Sequence, residues 1–576
     1  MAEVAFSLAS TTRTFLALRN LSLRDPPAVC RSFADGHNDV KSQTMAEPTP
    51  SEAAAPPSPW RPLANQTFRN LLAADLLSDI GAFMQSVGAA WLMTSLTKSP
   101  LYIALIQTAS ALPFFLLALP AGAIGDIFDR RKLILGTETW MFAIAAILTA
   151  TTIAGAMTPW LLLLLTLGLS MGDAVESPAW RAIFPELVNK DDLPAALALN
   201  GIEFNLARAL GPGLAGFIIA AVGVAATFAL NCLSFLGVIA VVAKWKRPVR
   251  KSKLPVETFR GAMSAALRYV RYSPGIRTLL VRSAFLIFFT SCFWALLPMA
   301  ARELSKNPVV YGFLLAFFGV GAVLGAIVLQ RTRSKFSTET ILSLATVTFA
   351  AVMLSVAFLR TTVVLCILML FGGSAWTVFM SLFNIIVQKL APDWVRARVL
   401  AVYLFVFQGS VTVGSTLWGF LALHANVHLT LAFAGIGTCA CLLLQPFFKL
   451  PKTAVDLSTW NHWVKPTMLE EPAPDQGPVL VTVKYVIDPA KAPEFLFQIR
   501  KYERIRRRDG ATRWGIFFDT EAPDVYLENF LVDSWAEHER QHDRFTVADR
   551  DVEKKVLTYA LKPIEVKHYI YAREKR

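Results

Sequence analysis

Charged side chains inside strongly apolar segments are the residues of this sequence that could do chemistry. They fall in the first half of the chain, each in a hydrophobic stretch: Asp75, Asp79, Glu138, Asp173, Glu176, Glu203 and Arg208. An ionisable group is costly to place in hydrocarbon and usually marks an ion or substrate pathway. A carboxyl group that alternates between environments of different polarity can take up and release protons. We therefore predict that these side chains bind protons or a polar ligand.

The segments that carry these charges are long enough to cross a membrane. The chain has 576 residues, 54% hydrophobic and 17% charged, with a mean hydropathy of +0.47, which is too apolar for a soluble protein of this length. Windows of about 20 apolar residues predict twelve spanning helices. They are 71–96, 101–125, 133–155, 159–180, 197–222 and 224–243, then 279–300, 309–330, 340–359, 362–388, 399–423 and 428–449.

Glycine landmarks that recur 203 positions apart indicate two similar halves. The matched positions are Gly122 with Gly325, Gly211 with Gly414, Gly216 with Gly419, and Leu187 with Leu390. Two membrane halves in the same orientation are typical of transporters that rock one half against the other.

The chain has a net charge of +14, and the positions of its basic residues indicate how it crosses the membrane. Ten lysines and arginines but one acid, Glu257, lie between Lys244 and Arg277, and alternate short loops are basic as well. By the positive-inside rule, the termini and this central loop are cytoplasmic. The pattern argues against a nucleic-acid partner and favours the lipid bilayer.

Composition shifts divide the chain into six predicted regions. They are a tail of disordered composition (1–60), a first six-helix half (61–245), a cytoplasmic basic loop (246–276), a second half (277–450), a Pro-rich linker (451–477) and a cytoplasmic domain (478–576). Arg13, Arg19 and Arg24 suggest a targeting segment. The alternative is that translation begins at Met45, and both remain open.

The C-terminal region reads as a small soluble α+β domain. Period-2 alternation predicts strands at 479–487, 513–518, 526–533 and 564–571, with helices over 491–508 and in one long stretch after Ser534. This is a ferredoxin-like βαββαβ order. Domains of this kind often pair their sheets, so we predict a homodimer through this domain by analogy of fold.

Two glycine-containing motifs carry a resemblance. The first, Gly122-Ala-Ile-Gly125-Asp126-Ile-Phe-Asp129-Arg130-Arg131-Lys132, resembles the loop signature between helices 2 and 3 of the major facilitator superfamily. It departs from the pattern at Asp129, where glycine is usual, and at Ile127, where a cation is usual. The second, Gly211-Pro212-Gly213-Leu-Ala-Gly216, resembles the antiporter motif of helix 5 in the same superfamily.

Further motifs narrow the resemblance to the transmembrane secretion effector branch, which is similar to the enterobactin exporter. They are Ser177-Pro-Ala-Trp-Arg, Pro185-Glu-Leu-Val, Phe204-Asn-Leu-Ala-Arg208-Ala-Leu-Gly-Pro and, in the C-terminal region, Arg507-Arg-Asp-Gly510 and Ser534-Trp-Ala-Glu-His-Glu-Arg-Gln-His542. The resemblance covers about residues 65–571. It implies twelve helices, a cavity lined by helices 1, 4 and 5, and a latch at Asp126 that holds the outward-open state.

The chemistry of the motifs gives each a physical role. Closely spaced glycines let a neighbouring helix approach backbone to backbone, and Pro212 predicts a kink in helix 5.

Arg208 falls near the mid-plane of the membrane and needs a counter-charge or water. We predict that Asp173 holds it, with Asp79 in reserve, and that Asp79 is the leading proton-coupling group. In the second half, Trp376, Asn384, Gln408 and Trp418 are candidate cavity side chains.

These observations predict a secondary active transporter in a bacterial inner membrane. Its expected partners are protons and, as the resemblance alone implies, a small amphipathic substrate such as a siderophore or a drug that is moved outward by alternating access. No nucleotide or catalytic motif is present, and we expect no cofactor and no metal, because His538 and His542 lack an evident third ligand. The alternative is a membrane-anchored protein whose monooxygenase-like C-terminal domain is a small enzyme or ligand sensor.

Overall fold

The structure is a computed structural model that describes residues 59–127, 129–245, 259–450, 456–460, 468 and 472–572. The side chains of residues 118–127, 259, 260 and 262 are not described. Almost all of the predicted tail at 1–60 lies outside the described residues, as do the first part of the basic loop and much of the linker. The expectations for those stretches stay predictions.

The first half forms six helices that span a membrane by length and composition. They are α1 (Gln66–Leu96), α2 (Pro100–Ile127), α3 (Arg130–Ile153), α4 (Pro159–Leu187), α5 (Leu193–Val222) and α6 (Val224–Lys244). Side-chain acceptors at the first turns satisfy backbone N–H groups that have no helical partner. Asn65 accepts from the backbone N of Thr67 at 2.9 Å, and Asp129 accepts from the N of Lys132 at 3.1 Å. Side chains close in sequence therefore cap the first turns of these helices.

The second half repeats this arrangement after one additional helix. Its elements are α7 (Phe259–Tyr272), α8 (Pro274–Leu304), α9 (Pro308–Thr332), α10 (Thr338–Phe358), α11 (Thr362–Leu390), α12 (Asp393–His424) and α13 (Val427–Ala440), which a short 3-10 turn extends to Leu444. Within the described residues, α1–α6 and α8–α13 are the twelve candidate spans. The prediction of six plus six spanning helices is confirmed.

Helix α7 corrects the interpretation of residues 246–276 as a basic loop only. Ala265, Ala266 and Tyr269 are almost fully buried, and the Tyr269 hydroxyl donates to the carbonyl of Leu390 at 2.7 Å. Their spacing places the three side chains on one helical face. The many basic residues nearby hid this short apolar stripe, whose periodicity was the available signal.

The C-terminal domain is a four-stranded antiparallel sheet with helices on one face. Its elements are β1 (Val479–Val486), α14 (Ala492–Asp509), β2 (Arg513–Phe518), β3 (Val525–Val532), α15 (Trp535–Asp543), α16 (Val547–Leu557) and β4 (Glu565–Ile570). The strand order β2-β3-β1-β4 confirms the ferredoxin-like prediction. The single long helix after Ser534 is wrong, because Thr546 begins a second helix with a capping box to Asp549.

The C-terminal domain packs on the second half through its helices. Glu537 of α15 accepts a hydrogen bond from Arg268 of α7 at 2.7 Å. The Arg544 guanidinium lies 4.8 Å from the ring centre of Trp394, in the first turn of α12. Arg508 of α14 lies 5.6 Å from the ring of Tyr269. Charge and cation–π contacts thus join the domain to α7 and to the start of α12.

Candidate transport site

Asp79 and Asp173 form the accessible part of an acidic array in the first half. Asp79 on α1 is half-buried, Asp173 on α4 is exposed, and the two carboxyl groups are within Coulombic range of each other. Asp79 has no hydrogen-bond partner among the described side chains. The structure therefore brings together two of the predicted residues, whose side chains are not covered by other parts of the chain.

A second group of carboxyl side chains lies deeper, between α3 and α4. Glu176 accepts a hydrogen bond from the Thr137 hydroxyl at 2.6 Å, and its carboxyl group contacts that of Glu138. Glu138 and Glu176 are about 5% exposed or less. Among the described atoms, Oε2 of Glu138 has no hydrogen-bond partner. Carboxyl groups in contact at such a site share protons.

Asp75 and Glu203 connect α1 to α5 through an amide side chain. Asn200 donates to Asp75 at 3.3 Å and to Glu203 at 3.2 Å. Trp180 of α4 is a further hydrogen-bond neighbour of Asp75. The sequence analysis assigned no role to Asn200, Thr137 or Trp180, because uncharged polar and aromatic residues are too common in apolar helices to be singled out as site residues.

The predicted ion pair between Arg208 and Asp173 is not formed. Within the described residues no acid lies within salt-bridge distance of Arg208, and its guanidinium sits 5.6 Å from the ring centre of Phe204. The reserve partner, Asp79, does not pair with it either. The reason is the direction of α5, which presents Glu203 to Asn200 and Asp75 but Arg208 to the face of Phe204, one turn earlier. Arg208 therefore remains a half-buried cation apart from the acids.

The tryptophans proposed for the second half belong to its packed core. Trp376 stacks edge to face with Trp294 at 5.3 Å between ring centres, and Trp418 donates its indole N–H to the carbonyl of Phe288 at 2.8 Å. Both are less than 10% exposed. Asn384 and Gln408 keep partly accessible side chains, so they remain the candidates on this side.

The basic cluster after α2 clamps helix ends of the first half. Arg130 donates to Glu186 at 2.7 Å and to the Ala182 carbonyl at 3.1 Å, at the end of α4. Arg131 donates to the carbonyls of Val242 at 3.0 Å and Ala243 at 2.5 Å, at the end of α6. Cations are favourable at helix C-termini. The cluster thus has a structural role within one half.

The structure describes only some of the remaining residues of this motif. Gly122, Gly125 and Asp126 lie in the last turns of α2, whose side chains from 118 onward are outside the described part, so the latch at Asp126 stays a prediction. The backbone N of Lys132 is bound by Asp129. The aspartate that departs from the family pattern is therefore the N-cap of α3.

The helix 5 motif lies on a seam between the two halves. A Cβ added at Gly216 would lie 2.9 Å from the Cα of Gly312 on α9, and one added at Gly312 would lie 3.1 Å from the carbonyl oxygen of Pro212. Gly211 instead faces α1, where a Cβ would lie 2.6 Å from Phe83. Small residues here permit backbone contact between helices.

The repeated glycines occupy the matching positions of the second half. A Cβ at Gly419 of α12 would lie 2.5 Å from Ala104 of α2, across the other seam between the halves. Gly414 packs against Phe288 and Ser291 of α8 as Gly211 packs against α1. The sequence repeat is thus a repeat of helix contacts.

Polar and aromatic contacts join the two halves where α1 meets α8 and α9. Arg302, near the end of α8, donates to Thr94 and Ser95, near the end of α1, at 2.7 Å each. Trp91 stacks with Tyr311 of α9 at 6.1 Å between ring centres. The sequence analysis assigned no role to Arg302. Its role depends on two helices that are about 200 residues apart.

Comparisons with known proteins agree with this architecture. The profile of a family described as "Transmembrane secretion effector" matches residues 57–576. The staphyloferrin A transporter of Staphylococcus aureus is 22% identical over 67% of this chain and 96% of its own. The multidrug efflux pump Tap of Mycolicibacterium fortuitum is 26% identical over 62% of this chain and 90% of its own. These relatives are transporters, not enzymes.

Solved structures show the same fold. A bacterial homologue of the lysosomal transporter Spinster, in an inward-facing form, matches 67% of this chain and 96% of its own with a TM-score of 0.53 and 14% identity. The nucleoside transporter NupG matches 66% of this chain and all of its own with a TM-score of 0.55 and 14% identity. The chain is a multi-pass membrane transporter of the major facilitator superfamily and belongs to the transmembrane secretion effector family.

Proposed function

We propose that the protein is a proton-coupled exporter of small amphipathic molecules that works by alternating access. The observation that carries this proposal is the array of six carboxyl groups in the first half, in which Asn200 links Asp75 to Glu203 and Glu138 contacts Glu176. In the described part of the second half, charged residues lie near the helix ends. The proton-binding groups are therefore in one half, and the substrate contacts both.

The acidic array supports proton exchange by its geometry. Asp79 and Asp173 are accessible and near each other, whereas Glu138 and Glu176 are buried and in contact. A proton that arrives at the accessible pair lowers its repulsion, and the deeper pair can hold one proton between two groups. Exchange then requires only that access to Asp79 alternates.

The direction of transport is proposed from the multidrug efflux pump among the relatives, and the closed end of the helices identifies the state of the cycle. With the termini cytoplasmic, as the distribution of positive charges predicts, α1 ends at the outer surface of a bacterial inner membrane. Arg302 with Thr94 and Ser95 would then seal the outer side. In an alternating-access cycle this is an inward-facing state, in which an exporter loads substrate from the cytoplasm and an importer releases it.

The substrate class is proposed from the relatives and from Arg208, which lies at the seam between α5 and α9. One relative is a staphyloferrin A transporter and another a multidrug efflux pump. Arg208 lies on α5 beside a position where α9 approaches closely, since a Cβ at Gly319 would lie 3.0 Å from the Arg208 carbonyl oxygen. A guanidinium without an acid partner favours an anionic or strongly hydrogen-bonding substrate group.

Transport into inside-out membrane vesicles tests the proposal. Vesicles with an acidic lumen should accumulate staphyloferrin A or, for a drug exporter, the dye ethidium, because outward proton flow drives uptake. Addition of nigericin, which removes the pH difference, should return uptake to that of vesicles without the protein. Uptake that persists after the pH difference is removed would contradict proton coupling, and no uptake of either probe would contradict the substrate class.

Dimerisation of the C-terminal domain stays a prediction, and we propose the outer face of its sheet as the dimer surface. The sheet face that points away from its helices leaves Phe517 58% and Tyr569 50% exposed. If two copies pair through this face, Phe517→Asp should lower the mass of the detergent-solubilised protein from dimer to monomer in light scattering. Phe497→Asp, on the exposed side of α14, is the control. A wild-type mass equal to one chain would contradict the prediction.

A further inference from the structure

A basic cleft of about 810 Å³ lies where the C-terminal domain meets the membrane helices. One wall is α14, and the other consists of the turn between α7 and α8, the start of α8 and the residues that follow α13. The docking of α14 on α7, where Arg508 lies 5.6 Å from the ring of Tyr269, brings the two walls together. Five arginines and one acid line the cleft: Arg271, Arg277, Arg500, Arg504, Arg507 and Glu503. This excess of positive charge points to an anionic ligand.

Most of the positive charge in the basic cleft has no acidic partner. Glu503 accepts a hydrogen bond from Nε of Arg507 at 2.7 Å and balances that one cation. The other four arginines are exposed, and among the described residues no acid lies within salt-bridge distance of any of them. The stretches of sequence next to the cleft, 246–258 and 451–455, contain six basic residues and one acid. They therefore add positive charge to this region rather than neutralise it.

The basic cleft lies at the level where two spanning helices end. The candidate span α8 begins at Pro274, which lines the cleft, and the span formed by α13 and its 3-10 turn ends at Leu444, just before Phe447 in the cleft wall. Beside the cations, Leu443 is 72% and Phe447 81% exposed. Water disfavours such apolar surface, whereas acyl chains can cover it. The cleft thus combines cations with an apolar rim at the surface of the membrane.

Polar contacts with α8 and α10 hold the part of the wall that follows α13. Arg282 of α8 is buried, and it donates to the carbonyl of Phe448 at 3.3 Å and to Glu339 of α10 at 2.7 Å. Glu339 also accepts from the backbone N–H of Leu450 at 3.1 Å. Because these contacts fix the backbone on both sides of Lys449, this wall of the cleft is in place before a ligand binds.

We propose that the basic cleft binds the headgroup of an anionic phospholipid from the surrounding membrane. The phosphate lies among the arginines of α8 and α14, and the acyl chains lie beside Leu443 and Phe447. Guanidinium groups bind phosphate oxygens through parallel hydrogen bonds, and basic pockets at the ends of spanning helices hold anionic headgroups. The site is separate from the transport site and goes beyond the proposed transport function.

The apolar rim of the cleft favours a lipid over a soluble phosphate compound. A soluble phosphate would neutralise the arginines but leave Leu443 and Phe447 exposed to water, whereas a lipid satisfies both surfaces. A bound headgroup also contacts both walls of the cleft. Since one wall belongs to the C-terminal domain and the other to the membrane helices, the lipid strengthens the docking of that domain on the membrane domain.

Native mass spectrometry of the delipidated full-length protein in a non-ionic detergent tests the proposal. Dioleoyl phosphatidylglycerol is compared with dioleoyl phosphatidylcholine, which has the same acyl chains but no net charge. We expect the protein to bind phosphatidylglycerol at least about tenfold more tightly than phosphatidylcholine. Glycerol 3-phosphate, which is an anionic headgroup without acyl chains, should not displace the bound lipid at equal concentration.

Two double variants, one in each wall, assign the lipid to the basic cleft. Arg500→Gln with Arg504→Gln removes two charges from α14. Arg271→Gln with Arg277→Gln removes two charges from the wall formed by α7 and α8. Either pair should weaken the binding of phosphatidylglycerol by about 30-fold, because one basic residue near a membrane surface contributes about fivefold. A patch confined to one wall would be sensitive to only one of the two pairs.

The matched control is Arg331→Gln with Arg333→Gln, because both arginines are exposed at the end of α9, outside the cleft. This control should bind phosphatidylglycerol as the wild type does. All six arginines are solvent-exposed, so the variants should unfold at the wild-type temperature without lipid.

Four results would overturn the proposal. They are equal affinity for the two lipids, displacement of the lipid by glycerol 3-phosphate, wild-type affinity in either cleft variant, and an equal loss of affinity in the control. None of these results depends on whether the membrane domain transports a substrate.

Discussion

Replacing Asp79 with asparagine should reduce transport driven by a pH difference to the level of vesicles without the protein. Asp79 is half-buried, is near Asp173, and has no hydrogen-bond partner among the described residues. Asparagine keeps the size and the polarity of the side chain but cannot bind the proton that the cycle exchanges. Substrate exchange without a pH difference should continue, because the substrate can still be bound and moved.

Two controls separate proton coupling from a structural role of Asp79. Asp79→Glu keeps the carboxyl group and should retain part of the pH-driven transport. Asp393→Asn removes a carboxylate that is 88% exposed at the start of α12 and should leave transport unchanged. Full pH-driven transport by Asp79→Asn, at normal amounts in the membrane, would exclude Asp79 as the coupling residue.

Replacing Gly216 with valine should strongly impair transport through the seam between α5 and α9. The Cβ alone would lie 2.9 Å from the Cα of Gly312, and no flexible side chain is there to move aside. Overpacking of this kind costs about 1–3 kcal/mol. A penalty of that size in one state changes the balance of states by about 5- to 150-fold. The transport rate in vesicles should fall accordingly.

Gly201 provides a matched control on the same helix. A Cβ added at Gly201 meets no heavy atom within 4 Å, so Gly201→Val should behave as the wild type. To detect misfolding, both variants are compared by thermal unfolding in detergent and by binding of a transported substrate. Wild-type transport rates for Gly216→Val would show that α5 and α9 do not need this close approach.

The sequence alone determined the features that depend on local pattern. The twelve spans follow from the lengths of apolar windows. The order of strands and helices in the C-terminal domain, apart from the break between α15 and α16, follows from periods of two and 3.6 residues. The two-half repeat was readable because glycine is specifically required where backbones touch, as at Gly216 and Gly419. These signals are local, or they are imposed on single positions by steric limits.

Only the tertiary structure decided which side chains meet. About 140° around α5 separates Glu203, which contacts Asn200, from Arg208 five residues later. Arg208 lies over Phe204 instead of pairing with Asp173. Trp376 and Trp418 proved to be core residues, and Arg302 proved to bind α1, for the same reason. Such contacts depend on how helices far apart in the chain are rotated and packed, and hydrophobic pattern leaves that rotation undetermined within a bilayer, where many faces are apolar.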